Sequence, residues 1–102
     1  MAIGPEAKVE SALAKAVKQH GGISRKLNGA GYRAWPDRLV LLPGVEQFYV
    51  ECKAPGKHAT DQQRALHTKL REQGCMVFVV DSVDMAQEVV RIMATKVTKL
   101  VY

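Results

Sequence analysis

Two short apolar runs separated by a turn signal constrain the fold of this chain most. Residues 37–42 and 48–53 each have the length and composition of a strand, and Pro43-Gly44 between them favours a turn. Side chains alternate between the two faces of a strand, so Glu51 and Lys53 share one face and the apolar residues of the second run share the other. The sequence therefore predicts an antiparallel strand pair with one apolar face and one charged face.

The charged face of this pair predicts a site for a divalent cation. An antiparallel arrangement brings Asp37, at the start of the first strand, near Glu51 and Lys53 at the end of the second. Two carboxylates provide the oxygen ligands that Mg²⁺ requires, and Lys53 supplies a fixed positive charge beside them. A Glu-x-Lys on a half-exposed strand is also common in cross-strand ion pairs, so the spacing alone leaves a structural role open.

The length and charge of the chain set further bounds. A sequence of 102 residues predicts a single domain, residues 1–102, which can bury roughly two-thirds of its unfolded surface. The net charge of +5 favours a polyanionic partner such as nucleic acid, although many small proteins are basic without binding one. No apolar stretch reaches the length of a membrane span and the N-terminus lacks a signal-peptide pattern, which predicts a cytoplasmic protein.

The periodicity of the remaining segments predicts an α/β fold. The elements follow in the order helix, strand, strand, helix, strand, helix, at residues 5–19, 37–42, 48–53, 60–73, 75–80 and from Ser82 or Asp84 onward. Such an order favours a mixed sheet flanked by helices. Residues 97–102 alternate well enough to be a final strand, and an exposed apolar strand there could form a dimer contact.

Glu10 and Gln63 are further candidate site residues, each with a structural alternative. Glu10 lies at the border of the apolar stripe of the first helix, where it could reach over the sheet as a metal ligand or remain an ordinary solvated side chain. Thr60 and Gln63 have the spacing of a capping box, which is a complete structural explanation of Gln63. Cys52 and Cys75 lack the spacing of a zinc or redox site, which predicts buried, reduced thiols.

Two basic segments are candidate DNA-binding loops. Residues 23–35 carry Arg25, Lys26 and Arg33 and predict a flexible approach to the site, and Lys57 follows the second strand in another loop. These charges could instead only keep the protein soluble. Trp35 could stack on a base, although a lone Trp beside a strand is more often part of the core.

These motifs occur in the order of a known nuclease family. Pro36-Asp37, a hairpin and Glu51-x-Lys53 resemble the PD-(D/E)xK nuclease signature. The larger set resembles the virus-type replication-repair nuclease (VRR-NUC) domain over residues 6–81, with matches at Glu10, Gly21-Gly22, Lys26, Gly31, Pro36-Asp37, Glu51-Cys52-Lys53-Ala54-Pro55 and Gln63. The sequence departs from the family at Ala34, where a Gly is usual, which affects the backbone path into Asp37 rather than the ligands.

The resemblance implies a restriction-endonuclease-like fold and a Mg²⁺- or Mn²⁺-dependent endonuclease. Asp37, Glu51 and the Cys52 backbone carbonyl would bind the metal, and Lys53 would position the attacking water or stabilise the developing negative charge. Gln63 would orient Lys53 or the water, Glu10 would help to bind a second ion, and Lys26 matches the basic position of the family.

The resemblance also implies a biological setting. Stand-alone members of this family resemble dimers that cut branched DNA, which implies a homodimer acting on Holliday junctions or related repair intermediates, in a phage or prophage setting. A less selective nickase and a nuclease subunit of a larger machine are the alternatives among enzymes. Outside enzymes, the alternatives are a non-catalytic DNA-binding module and an interaction protein in which Asp37, Glu51 and Lys53 form a surface ion-pair cluster.

Overall fold

A four-stranded mixed sheet forms the centre of the fold. The computed structural model describes residues 3–27 and 31–98. Across the sheet, the strands are β1 (Ile23–Lys26), β2 (Arg38–Leu41), β3 (Phe48–Cys52) and β4 (Met76–Val80). The first two pairings are antiparallel and the third is parallel. The predicted antiparallel pair is confirmed, with Arg38 opposite Val50 and Val40 opposite Phe48.

Strand β1 differs from the sequence prediction of a flexible basic loop over residues 23–35. Its four residues pair with β2 in antiparallel register, from Ile23 opposite Leu41 to Lys26 opposite Arg38. An edge strand can be held by main-chain hydrogen bonds to its one neighbour, so it needs no apolar alternation. The sequence Ile-Ser-Arg-Lys has none, which is why periodicity missed this strand.

Helices α1 (Pro5–Gln19) and α3 (Val83–Ala94) cover one face of the sheet, which we call the core face. Five of its strand residues are almost completely buried and belong to one apolar cluster with residues of both helices, namely Val40, Phe48, Val50, Cys52 and Val80. The predicted first helix is confirmed at both ends, and Ser82 is the residue that caps α3, since its side chain accepts a hydrogen bond from the Met85 backbone N–H.

The sharp exit from α1 depends on two consecutive glycines. Gly21 has φ +77°, and the Gly22 backbone N–H donates to the Val17 carbonyl at 2.9 Å, which closes the helix. A Cβ on Gly22 would lie 2.4 Å from the Leu41 carbonyl oxygen, so only glycine allows this approach to β2. The Gly-Gly motif therefore sets how closely α1 packs on the sheet.

Helix α2 (Asp61–Glu72) lies on the opposite side of the sheet, which we call the site face. It contacts β4, and the Arg71 guanidinium donates to the Val77 carbonyl at 2.7 Å. Alternation places Leu39, Tyr49 and Glu51 on this face. Because α2 covers mainly the β4 side, an open cleft remains over the first three strands.

The last described residues pack beside the β2–β3 turn. The Thr98 backbone N–H donates to the Gly44 carbonyl at 2.8 Å, and residues 96–98 have no strand structure. The rest of the predicted final strand, residues 99–102, lies outside the described residues. Within the described ranges, we find no helix with the length and hydropathy needed to span a membrane.

Candidate active site

Asp37 stands immediately before β2 and bridges to the end of β3. Its Oδ2 accepts a hydrogen bond from the Cys52 backbone N–H at 2.7 Å, and its own carbonyl accepts one from the Leu27 N–H at 2.8 Å. Burial raises the pKa of the Asp37 carboxyl, while the hydrogen bond from Cys52 acts in the opposite direction. Neighbouring strands on both sides therefore fix the position of this carboxylate.

Glu51 is a buried carboxylate beside a lysine. Its side chain is 2% exposed, and the Lys53 ammonium lies 3.4 Å from its Oε2. Burial raises the pKa of Glu51 to about 7, repulsion from Asp37 adds to this shift, and the charge of Lys53 opposes it. Asp37 directly precedes Arg38, which lies opposite Val50, and its carboxylate accepts from the Cys52 N–H, so the register places the two carboxylates at the same end of adjacent strands. Asp37, Glu51 and Lys53 thus meet at one end of β2 and β3.

Gln63 forms the capping box that the sequence predicts and also contacts Glu51 at the candidate site. The capping box is present, because the Thr60 hydroxyl accepts from the Gln63 N–H at 3.2 Å and the Gln63 Oε1 accepts from the Thr60 N–H at 2.9 Å. The Gln63 side-chain amide also donates to Glu51 Oε2 at 3.2 Å. One side chain therefore caps α2 and contacts the buried carboxylate, and a role in catalysis stays a prediction.

His67 faces Glu51 from α2, a contact that the sequence analysis missed. The imidazole is 1% exposed, so it is packed, and its Nε2 lies 3.9 Å from Glu51 Oε1. Neither atom has a hydrogen-bond partner among the described residues. Burial lowers the pKa of His67, helped by the charges of Arg71 and Lys53, which favours the neutral ring. The spacing of four residues from Gln63 was the available signal, because it places both side chains on one helix face.

Glu10 lies in an ion-pair network at the border of the core face. Its Oε1 lies 3.1 Å from Arg38 Nε and 3.5 Å from Lys26 Nζ, and the Arg38 guanidinium also donates to the Ser24 hydroxyl at 2.9 Å. Glu10 contributes to the raised pKa of Asp37, so its charge is felt at the site. Its role as a metal ligand stays a prediction. A metal ion would have to compete with Arg38 and Lys26 for the Glu10 carboxylate.

The other predicted DNA-binding residues lie at the surface. Arg25 is exposed on β1, opposite Leu39 and on the site face. Arg33 and Lys57 are also exposed, and the Lys57 N–H donates to the Ala54 carbonyl at 2.9 Å in the turn that follows Lys53. These three cations are available to phosphates, whereas Lys26 is shared with Glu10.

The donor set of Asp37 and Glu51 fits a hard divalent cation. Both supply carboxylate oxygens, and Glu51 Oε1 is buried without a hydrogen-bond partner among the described residues. Each carboxyl has a raised pKa, so a nearby positive charge would stabilise both in ionised form. Within residues 3–27 and 31–98, no cluster of three or more His, Cys, Asp or Glu side chains is arranged to bind a metal. Mg²⁺ commonly uses one or two carboxylates together with water and substrate phosphate.

Comparison with known proteins decides the family. No protein-family model matches the sequence. The chain is 42% identical over 81 residues to p44 of Acyrthosiphon pisum secondary endosymbiont phage 1, which is named as a candidate nuclease, and the match covers 79% of this chain and 87% of p44. A solved VRR-NUC domain matches this structure with a TM-score of 0.80 and 29% identity, over 87% of this chain and 97% of that one. The chain belongs to the VRR-NUC family.

Membership of the VRR-NUC family confirms the predicted fold class. The fold is α/β, with a mixed four-stranded sheet between α1 and α3 on one face and α2 on the other. The family resemblance seen in Pro36-Asp37 and Glu51-x-Lys53 is confirmed as well. Within the described residues, the order of elements differs from the prediction by the added edge strand β1 and by the lack of strand structure at residues 97–98.

Proposed function

We propose that this VRR-NUC protein is an endonuclease that hydrolyses DNA phosphodiester bonds with Mg²⁺ or Mn²⁺. One observation carries the proposal: Asp37 and Glu51 converge at the ends of adjacent strands, with the Lys53 ammonium 3.4 Å from Glu51. Two carboxylates of raised pKa beside a lysine cost stability, and such arrangements cluster at functional sites. The names of p44 and of the matched VRR-NUC domain support the same activity.

In the proposed mechanism the side chains divide the work. Asp37 and Glu51 would hold the ion, together with the Cys52 backbone carbonyl. When bound, a divalent ion supplies Lewis-acid polarisation of the scissile phosphate. Lys53 positions the attacking water or stabilises the negative charge that develops on the phosphate oxygens. Gln63 restrains Glu51 through its hydrogen bond to Oε2.

A second ion would need a third carboxylate, and Glu10 is the candidate. In the structure Glu10 is neutralised by Arg38 and Lys26. We propose that Glu10 binds an ion only when a DNA phosphate draws one of these cations away. With Glu10 left in its ion pairs, the site works with one ion.

The proposed substrate is branched DNA such as a Holliday junction, cut by a homodimer. Two-fold symmetry would place two copies of the site on opposed strands. The exposed Arg25, Arg33 and Lys57 would contact phosphates around the site. The relative p44 belongs to a phage, which supports a phage or prophage protein that acts in the cytoplasm of the host.

The proposal is tested by incubating the protein with Mn²⁺ and labelled single-stranded, duplex, flap and four-way DNA. We expect symmetric nicks at the four-way crossover, no cleavage in EDTA, and a loss of at least about 100-fold in the rate for Lys53→Ala. Lys15→Ala, an exposed lysine of α1, is the matched control and should cleave normally. Equal cleavage of every substrate would favour the less selective nickase. DNA binding without any cleavage would favour the non-catalytic module and overturn the proposal.

A further inference from the structure

Three aromatic side chains form a connected cluster on the site face. The ring centroids of Tyr32 and Trp35 are 5.6 Å apart and those of Trp35 and Tyr49 are 5.9 Å apart, with interplanar angles of 71° and 63°. Tyr32 is 43% exposed, and Trp35 and Tyr49 are half-buried. The sequence favoured a place for Trp35 in the core. The structure instead places it, half-buried, at the surface of the sheet.

The cluster borders an open cleft with a volume of about 560 Å³, which we call the aromatic cleft. Among the described residues, its lining combines aromatic, aliphatic and basic side chains, namely Arg25, Leu27, Tyr32, Trp35, Leu39 and Tyr49. The volume lies within the usual range for sites that bind small organic groups. An apolar cleft with the Arg25 guanidinium in its lining suits a flat, partly apolar ligand that carries negative charge.

The aromatic cleft is adjacent to the proposed active site on the same face. Tyr49 precedes Glu51 by two residues on β3, a separation of roughly 7 Å along the strand. Leu39 follows Asp37 by two residues and lies opposite Tyr49 in the register of β2 and β3. A DNA strand with a phosphate at Asp37 and Glu51 can therefore place the neighbouring base over Tyr49 and Trp35.

We propose that the aromatic cleft binds an unpaired nucleobase next to the phosphate that is cut, a proposal that rests on the proposed nuclease function. Stacking of a base on an aromatic ring contributes about 1–3 kcal/mol and accepts any base, because every base has a π face. A base inside a duplex is already stacked and paired, so entry requires a single strand, a flap or a junction in which a base pair at the crossover has opened. Arg25 contacts the phosphate of the bound nucleotide. The cleft thus provides selection for branched DNA through an unpaired base.

A second copy of the chain is the other possible occupant of this apolar surface. The nucleotide is favoured because Leu39 and Tyr49 of the cleft are each two residues from a carboxylate of the site on the same face of the sheet, and because Arg25 complements a phosphate. The two occupants predict different results when the cleft is changed. If the cleft is a dimer contact, a substitution there would lower the mass of the protein in solution. If it is a base site, the substitution would alter only the discrimination between nucleic acids.

Trp35 is the one tryptophan of the sequence, so its fluorescence reports directly on the cleft. The protein is titrated in EDTA and low salt with an oligothymidylate and with an abasic oligonucleotide of the same length and charge. We expect the oligothymidylate to quench the emission and to bind about 5-fold to 100-fold more tightly than the abasic strand. Equal affinities with unchanged emission would overturn the proposal.

Two variants separate base stacking from phosphate binding. Tyr32→Leu keeps an apolar side chain and the fluorescent reporter, and should lower the preference for oligothymidylate at least about 3-fold while leaving the abasic affinity unchanged. Arg25→Ala should weaken the binding of both oligonucleotides to the same extent, because both retain their phosphates. Light scattering measures whether Tyr32→Leu dissociates a dimer. If it does and the base preference stays intact, a second copy occupies the cleft and the proposal is wrong.

Binding in EDTA is measured without hydrolysis, so this test is independent of cleavage. Cleavage by the wild type that Lys53→Ala loses, together with equal binding of both oligonucleotides, would reject the cleft and keep the nuclease. A base preference without cleavage in Mg²⁺ or Mn²⁺ would reject the nuclease, and with it the placement of the cleft beside a reacting phosphate.

Discussion

The two faces of strand β3 place opposite demands on the same five residues. On the core face, Phe48, Val50 and Cys52 are 0% exposed and pack in the apolar cluster under α1 and α3. On the site face, Tyr49 lines an open cleft and Glu51 is a buried carboxylate with a pKa raised to about 7. Alternation thus separates a stabilising surface from a destabilising one by a single residue.

This difference shows how a small domain can carry an unfavourable site. Burying a large apolar side chain such as Phe48 contributes about 1.5–3 kcal/mol. Keeping Glu51 ionised beside Asp37 opposes folding, because burial and repulsion both favour the neutral carboxyl. The core face must therefore supply the stability that the site face removes, and substitutions on the two faces should change stability in opposite directions.

The largest expected effect is on the core face. Phe48→Ala removes a side chain that is 0% exposed and contacts Phe78 edge to face, so we expect a loss of about 3–5 kcal/mol in the free energy of unfolding. Leu41→Ala is the matched control, because Leu41 is 39% exposed and should lose only about 0.5 kcal/mol. Urea unfolding measures both. Similar losses in the two variants would contradict the assignment of the core face.

Glu51→Gln should raise the free energy of unfolding, whereas Phe48→Ala should lower it. The pKa of Glu51 rises from 4.5 to about 7 on folding, so the unfolded chain releases this proton first and the stability of the wild type falls as the pH rises between these values. At pH 8 in EDTA, the variant should be more stable than the wild type by roughly 2–3 kcal/mol, and at pH 5 by little. Urea unfolding at both pH values tests this. A variant that is less stable than the wild type at pH 8 would contradict the raised pKa.

The smallest expected effect on stability is at the two helix N-caps. Thr60→Ala and Ser82→Ala each remove an N-cap side chain and should each cost about 1 kcal/mol of stability. Only Thr60 is linked to the site, because its partner Gln63 also donates to Glu51. We therefore expect a several-fold loss of cleavage for Thr60→Ala and none for Ser82→Ala. Equal cleavage by the two variants would show that the cap does not support the site.

Much of the sheet was predictable because strand alternation and turn chemistry are local. The Pro43-Gly44 turn and the pattern of residues 48–53 specify the β2–β3 pair, and that pair brings Asp37 to the Cys52 N–H. Residues 23–26 escaped prediction because an edge strand depends on the main chain of its neighbour. Their pairing required knowledge of where β2 lies.

The candidate site was predictable only in the part that one hairpin builds. Asp37, Glu51 and Lys53 follow from the register of β2 and β3. The contact of His67 with Glu51 depends on how α2 crosses the sheet, and the binding of Glu10 by Arg38 depends on how α1 approaches it. Packing between distant elements determines both contacts. The spacing of His67 from Gln63 shows that they share a helix face, but it does not show where that face packs on the sheet.

Calorimetric titration of Mn²⁺ into the metal-free protein tests most directly whether Asp37 and Glu51 together bind one divalent cation, as we propose. We expect saturable binding by the wild type that strengthens from pH 6 to pH 8, because Glu51 must lose its proton. Asp37→Asn and Glu51→Gln should each weaken binding at least about 10-fold, and Lys57→Ala should leave it unchanged. Equal Mn²⁺ affinity in all four proteins would contradict the account.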